Sequence, residues 1–228
     1  MMHTPAIDRR SALRTAVAGL AGVVFAAETA ACVPAPNPTP SASAQSTTDT
    51  DRNGRRVLLA CFSRAGENYY YGDRIDLEVG NTEVLAGIIR ELIGCDVHLI
   101  EAADPYPEDY EETVARNSRE QRENARPGIG NPLPDLSQYD TVLLASGIWG
   151  SRAPMIMTTF TEALDFAGKA IHPVTTFAVS GLGSTERDYA ASCPGATLGE
   201  GLAVRGEEVK EAGADVEAWL LRTLLLGS

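Results

Sequence analysis

Lysine is nearly missing from this chain: among 228 residues only Lys169 and Lys210 carry an ammonium group, and neither stands in a glycine-rich loop. A nucleoside-triphosphate cradle needs such a lysine to reach the outer phosphates, so that function is excluded. The pattern G-x-G-x-x-G, which brings a strand–helix turn close to a dinucleotide pyrophosphate, is absent too. No aspartate cluster marks the ends of the apolar runs, as a phospho-acceptor domain would require; Ser63 and Ser146-Gly147 stand there instead. Cysteine is scarce, and the irregular spacing of Cys32, Cys61, Cys95 and Cys193 gives no metal-ligand pattern. Cys61 sits inside an apolar run and reads as core, whereas Cys95 and Cys193 form the pair available for a disulfide in an oxidising compartment. Positive charge is in deficit, with 19 basic against 31 acidic residues and a net charge of −12. The whole deficit lies beyond residue 54, where 15 basic residues face 27 acidic ones. Such a domain repels phosphate backbones, which argues against nucleic-acid binding, and a protein partner steered to it is basic.

The N-terminus lacks an apolar run long enough to cross a bilayer. Residues 15–27 (TAVAGLAGVVFAA) fall short of the roughly 17–25 residues a spanning helix needs. Arg9 and Arg10 precede this run, and the small residues Thr29, Ala30 and Ala31 follow it. A basic start, a short apolar centre and a small-residue zone predict an export signal over residues 1–32. The arginine pair resembles the twin-arginine type of signal, whose route carries folded proteins. Ala31-Cys32 is compatible with lipoprotein cleavage and a lipid on Cys32, or with ordinary cleavage near Ala31. Membrane contact is therefore expected only through this signal or that lipid. Residues 33–54 are rich in Pro, Ser, Thr and Ala, bury too little apolar surface to offset their ordering entropy, and read as a tether. The folded domain is expected over 55–228.

Within that domain strand and helix signals alternate. Continuous apolar runs at 56–62, 96–102, 141–148, 169–179 and 197–204 read as strands covered on both faces. Residues 81–94 read as an amphipathic helix with Leu85, Ile88, Ile89 and Leu92 inward, started by Asn81 and stopped by Gly94. Residues 107–125 read as an outlying charged helix with Tyr110, Val114 and Ala115 inward. Further helices are expected at 155–166, 185–192 and 207–225, the last with Val209, Val216, Trp219, Leu220 and Leu224 inward. Five strands alternating with helices predict an α/β fold: a parallel, doubly wound sheet with helices on both faces.

Ligands of such sheets lie beyond the carboxyl ends of the strands. After the first strand come FSRAG (62–66) and, much later, GNTEV (80–84). Joined in space, Ser63, Gly66, Asn81 and Thr82 make one anion cradle at a helix start, with 67–79 as an excursion from it. Taken singly, Gly80-Asn81-Thr82 is equally a helix cap. After the third strand, Gly147, Ile148, Trp149 and Gly150 place an indole on the rim as a stacking face, the alternative being a ring packed on its own helix. After the fourth, Thr176, Ser180, Gly181 and Gly183 offer N–H donors to a planar ring edge, or form a plain turn. One loop for phosphate, one for stacking and one for a polar edge together specify flavin mononucleotide, FMN. Tyr69, Tyr70 and Tyr71 either line a substrate mouth or pack on the neighbouring helix.

These segments resemble the flavodoxin-like family, in its branch of short flavoproteins. The likeness rests on FSRAG and GNTEVLA, on DPYPEDYEETVARNSREQRENARP, and on IWGSRAPM, DFAGKAI, SGLGS and GLAVRG. It implies a five-stranded flavodoxin-like sheet and non-covalent FMN held by Ser63, Arg64, Gly66, Asn81 and Thr82, by residues 147–150, and by Thr176, Ser180, Gly181 and Gly183. It implies electron or hydride transfer to a small acceptor such as a quinone; a pure electron carrier with a basic redox partner, and a flavin-free binding module, are the alternatives. Ala65 removes a hydroxyl common in the family, and Phe177, Ala178 and Val179 replace polar groups common beside the ring.

Overall fold

The computed structural model describes residues 56–226. The expected signal at 1–32, the tether at 33–54 and a lipid on Cys32 lie outside the described residues. Three long apolar runs form the sheet's centre: β1 (Val57–Phe62), β5 (Thr141–Gly147) and β6 (Ala170–Phe177). β1 and β5 are buried at nearly every position, as strands covered on both faces must be. β4 (Asp96–Leu99) is the outer neighbour of β1 and β7 (Thr197–Leu198) that of β6, giving the order β4-β1-β5-β6-β7, all parallel.

The fifth strand position is split. β7 (Thr197–Leu198) and β8 (Leu202–Arg205) both pair with β6, separated by Gly199-Glu200-Gly201. The split follows from close packing: a Cβ on Gly199 would collide with the His172 ring, and one on Gly201 would come within 2.8 Å of Leu182. The single strand expected over 197–204 is thus corrected to two.

Alternate residues of β1 feed two cores. Val57, Leu59 and Cys61 pack under α1 (Asn81–Ile93) and α5 (Gly213–Arg222) with Trp219 at the centre. Leu58, Ala60 and Phe62 pack under α3 (Met155–Glu162) and α4 (Thr185–Ser192) with Phe160 and Tyr189. Cys95 belongs to the first core and Cys193 to the second, so the sheet stands between them and they do not pair. Burial pushes the Cys61 thiol up to about 12, as befits a core cysteine.

Several expected boundaries move. The excursion at 67–79 is an antiparallel hairpin, β2 (Gly66–Tyr70) with β3 (Asp73–Leu77), turning through Tyr71 at φ 46° and Gly72 at φ 94°. α2 (Tyr110–Arg122) begins after Pro107, because the Asp109 carboxylate accepts the Glu112 N–H and fixes the start. Its buried residues are Thr113, Asn117 and Glu120, whereas Val114 and Ala115 are exposed, so the expected apolar stripe is corrected to a polar one. α3 stops at Glu162, short of the expected residue 166. The closing helix is broken into a 3-10 turn (Gly206–Glu211) followed by α5. Leu224, expected inward, adopts φ 59° beyond the end of α5 and is 62% exposed; Leu225 and Leu226 are buried instead.

Candidate functional site

The loops at the carboxyl ends of β1, β5 and β6 enclose a cavity of about 350 Å³. Its floor is made by the contact that the sequence left open. Gly80 caps α1 without a side chain to offer, and the distant Ser63 hydroxyl accepts the Glu83 N–H at 3.1 Å in its place. The approach is too close for any side chain at position 80: a Cβ there would collide with Ser63 Oγ and lie 2.5 Å from the Arg64 carbonyl. The turn after β1 and the start of α1 are therefore one structure, with the hairpin inserted between its halves. Thr82 Oγ1 lies 2.7 Å from Thr176 Oγ1, which ties the same helix start to the end of β6. An opening helix turn presents unpaired N–H groups and a positive dipole end, which favours an anion.

Trp149 lines the cavity half-buried, its edge set against Phe62 at 5.7 Å and Tyr106 at 5.0 Å between centroids. It is held from the other side of the chain, since Gln121 donates to the Trp149 carbonyl at 2.9 Å. Thr176 and Phe177 bring the end of β6 to the same space.

Of the residues singled out from sequence, the structure brings Ser63, Arg64, Asn81, Thr82, Gly147, Ile148, Trp149, Gly150 and Thr176 to the cavity. It does not bring Gly66, Ser180, Gly181 or Gly183 there. Gly66 starts β2 at φ 79°, where a Cβ would meet the Glu108 carbonyl at 2.9 Å. Thr175 Oγ1 donates to the Gly181 carbonyl at 3.1 Å, and the Ser184 N–H donates to the Ser151 carbonyl at 2.9 Å. That loop braces the Trp149 segment from behind, and Phe177 with Ala178 provides the wall expected of it. Arg64 reaches the cavity, but its guanidinium donates to the carbonyls of Pro107 and Glu108 at 2.9 Å each, and to that of Glu67. Burial lowers its pKa from the usual arginine value, with Glu67 opposing. Its first task is to hold the α2 approach to the β1 turn.

Of the tyrosine run, Tyr69 lines the cavity and Tyr70 and Tyr71 do not; the rest of a second wall escaped the sequence reading. Asn68 and Tyr69 of the hairpin, with Tyr110, Thr113, Asn117 and Gln121 of α2, also line the cavity, and Glu207 closes it near Asn81. The signal was present as a four-residue spacing of polar residues, 113, 117 and 121, on a helix with only a sparse apolar stripe. Among the described residues no group of three or more His, Cys, Asp or Glu side chains is placed to hold a metal ion.

A doubly wound α/β sheet with a ligand cavity at its switch point, floored by a helix start and walled by an indole, defines a small-ligand-binding protein of the nucleotide-binding type. The chain belongs to the flavodoxin family, whose profile matches residues 77–222. No curated protein matches it in sequence. Among solved structures it is similar to an inferred flavoprotein from Bacteroides eggerthii DSM 20697, at 24% identity and TM-score 0.59, over 75% of this chain and 98% of that one. It is similar to another from Bacteroides uniformis ATCC 8492, at 26% identity and TM-score 0.57, over 73% and 98%. A flavoprotein of Lactobacillus acidophilus NCFM in complex with FMN shares the fold at 14% identity and TM-score 0.51, over 69% and 97%.

Proposed function

We propose that this chain binds FMN in the cavity and passes electrons or hydride to a small acceptor such as a quinone, outside the cytoplasm. The observation that carries the reading is the joined cradle, in which Ser63 caps the helix that Gly80 opens, beside the indole of Trp149. The residues present fit the group. Ser63, Asn81 and Thr82 offer hydroxyls, an amide and helix N–H groups to a phosphate, at a floor that only glycine at position 80 allows. Trp149 and Phe177 offer flat apolar faces to the ring, and Thr176 a hydroxyl already oriented by Thr82. Bound FMN supplies the electron and hydride chemistry, while the protein supplies binding, orientation and local charge. Membership of the flavodoxin family and the fold shared with an FMN complex support the cofactor.

The walls support the acceptor class. Tyr69, Tyr110 and Phe177 make an aromatic surround of limited size, suited to a flat molecule rather than to a polar chain. Arg9-Arg10 and the short apolar run after them support the proposed export, with anchoring through the signal or a lipid on Cys32. The test is the absorption spectrum of the full chain purified under mild conditions. A flavin spectrum, with FMN released on denaturation, is the expected result. A colourless protein that FMN does not restore would overturn the reading.

A further inference from the structure

The β2–β3 hairpin crosses the cavity from one rim to the other. Its base sits on the approach to α2: the Glu67 N–H donates to the Glu108 carbonyl at 2.9 Å, and the Tyr110 N–H donates to Glu67 Oε2 at 3.1 Å. On the same side Arg74 lies 3.7 Å above the Tyr110 ring and pairs with Glu111 at 3.1 Å. At the tip, the Tyr71 N–H donates to Glu207 Oε1 at 3.2 Å, and its hydroxyl donates to Glu208 Oε1 at 3.5 Å. Both carboxylates belong to the turn before α5. Between base and tip, Tyr69 is half-buried and lines the cavity.

The two attachments are unequal. The α2 side combines a backbone bond and a charge-assisted bond at Glu67 with the stacked cation of Arg74, which stands opposite Tyr69 in the hairpin. The tip rests on long contacts made by Tyr71, which is 59% exposed and sits at a positive φ that a bulky residue seldom adopts. Solvent-exposed contacts of this kind contribute little, so the tip parts before the base.

We propose that the hairpin is a roof hinged on α2 and latched at Tyr71, and that Tyr69 is the residue closing over a flat aromatic ligand at Trp149. The roof rests on the geometry alone; the identity of the ligand beneath it rests on the proposed FMN site. Ligand exchange then runs through the gap that opens between Tyr71 and the Glu207–Glu208 turn.

Tryptophan emission reads the roof with no flavin present. The chain has two tryptophans, and Trp219 is 0% exposed, so acrylamide quenching reports Trp149. In the full chain stripped of flavin, Tyr69→Ala should raise the acrylamide quenching constant about threefold, for loss of one covering ring. The double variant Glu207→Ala, Glu208→Ala removes both acceptors of the Tyr71 latch and should raise it in the same direction. With FMN loaded, Tyr69→Ala should release it about tenfold faster. Quenching unchanged in both variants would overturn the roof, even if FMN binds. Raised quenching in a protein that never binds FMN would keep the roof and remove the cofactor.

Discussion

Position 80 is where a single atom decides the site. Alanine there would force the Ser63 hydroxyl and the Arg64 carbonyl away from the start of α1. Gly80→Ala is therefore expected to weaken FMN binding at least about tenfold, the loss of roughly one strong contact, as measured by flavin-fluorescence titration. Unchanged affinity would contradict the joined cradle. A second single-residue lever is Glu120, buried on α2. It accepts from Arg116 at 2.7 Å and from the Tyr106 hydroxyl at 2.9 Å, and Arg116 is itself only 13% exposed. Tyr106 in turn supports the edge of Trp149. Without Glu120, Arg116 keeps Asp104 at 3.1 Å and the carbonyls of Asp104 and Pro105, so its charge stays paired and Glu120→Ala should cost about 1–3 kcal/mol in chemical denaturation, for the bonds lost to Arg116 and Tyr106. A loss below about 1 kcal/mol would mean that water reaches Arg116 freely.

At the scale of elements, the strands and their order of burial were legible because a strand covered on both faces must read as a continuous apolar run. Helix α1 was legible for the same reason, since Leu85 and Ile89 sit on the face that meets β1. The hairpin was not: its strands carry Asn, Tyr, Asp and Arg, and their partner is each other rather than the core, so no apolar pattern announces them. α2 was misread because a helix facing a cavity buries amides and hydroxyls where a helix facing a core buries methyls. The floor of the site was readable from FSRAG and GNT, and Tyr69 as one of two readings of the tyrosine run, but the hairpin that carries it and the polar wall of α2 were not. Gly181 and Gly183 were misassigned because a loop bracing another loop has the same small-residue composition as one that touches a ligand. The end of α3 offers a test of element packing. Glu162 there receives two bonds from Arg126, at 2.6 and 2.7 Å, joining the segment after α2 to α3. The guanidinium holds the Glu162 carboxyl below its usual value, so the pair stabilises the fold above the ordinary glutamate pKa and fades as pH falls through the lowered one. Because both side chains are over a third exposed or close to it, the contribution is screened. Glu162→Gln should cost at most about 1 kcal/mol at neutral pH, and the difference from the parent should vanish in strongly acidic solution. A difference that grows on acidification would contradict the assignment.

Across the whole molecule, the charge of −12 and the carboxylate of Glu207 at the cavity wall oppose added negative charge in the site. A close charge in a half-exposed site is worth roughly 1–4 kcal/mol, so FMN in this protein is predicted to have a lower reduction potential than free FMN. Added salt should narrow the gap, because part of it comes from screened surface charge. A potential at or above that of free FMN would count against this electrostatic reading. The account as a whole turns on whether the helix start and the β1 turn hold a phosphate together. The direct measurement is a paired titration of the flavin-free full chain with FMN and with riboflavin, which lacks the phosphate. The account predicts saturable one-to-one quenching of flavin emission, with FMN bound at least about tenfold more tightly than riboflavin. Equal affinity for the two, or no binding of either, would contradict it.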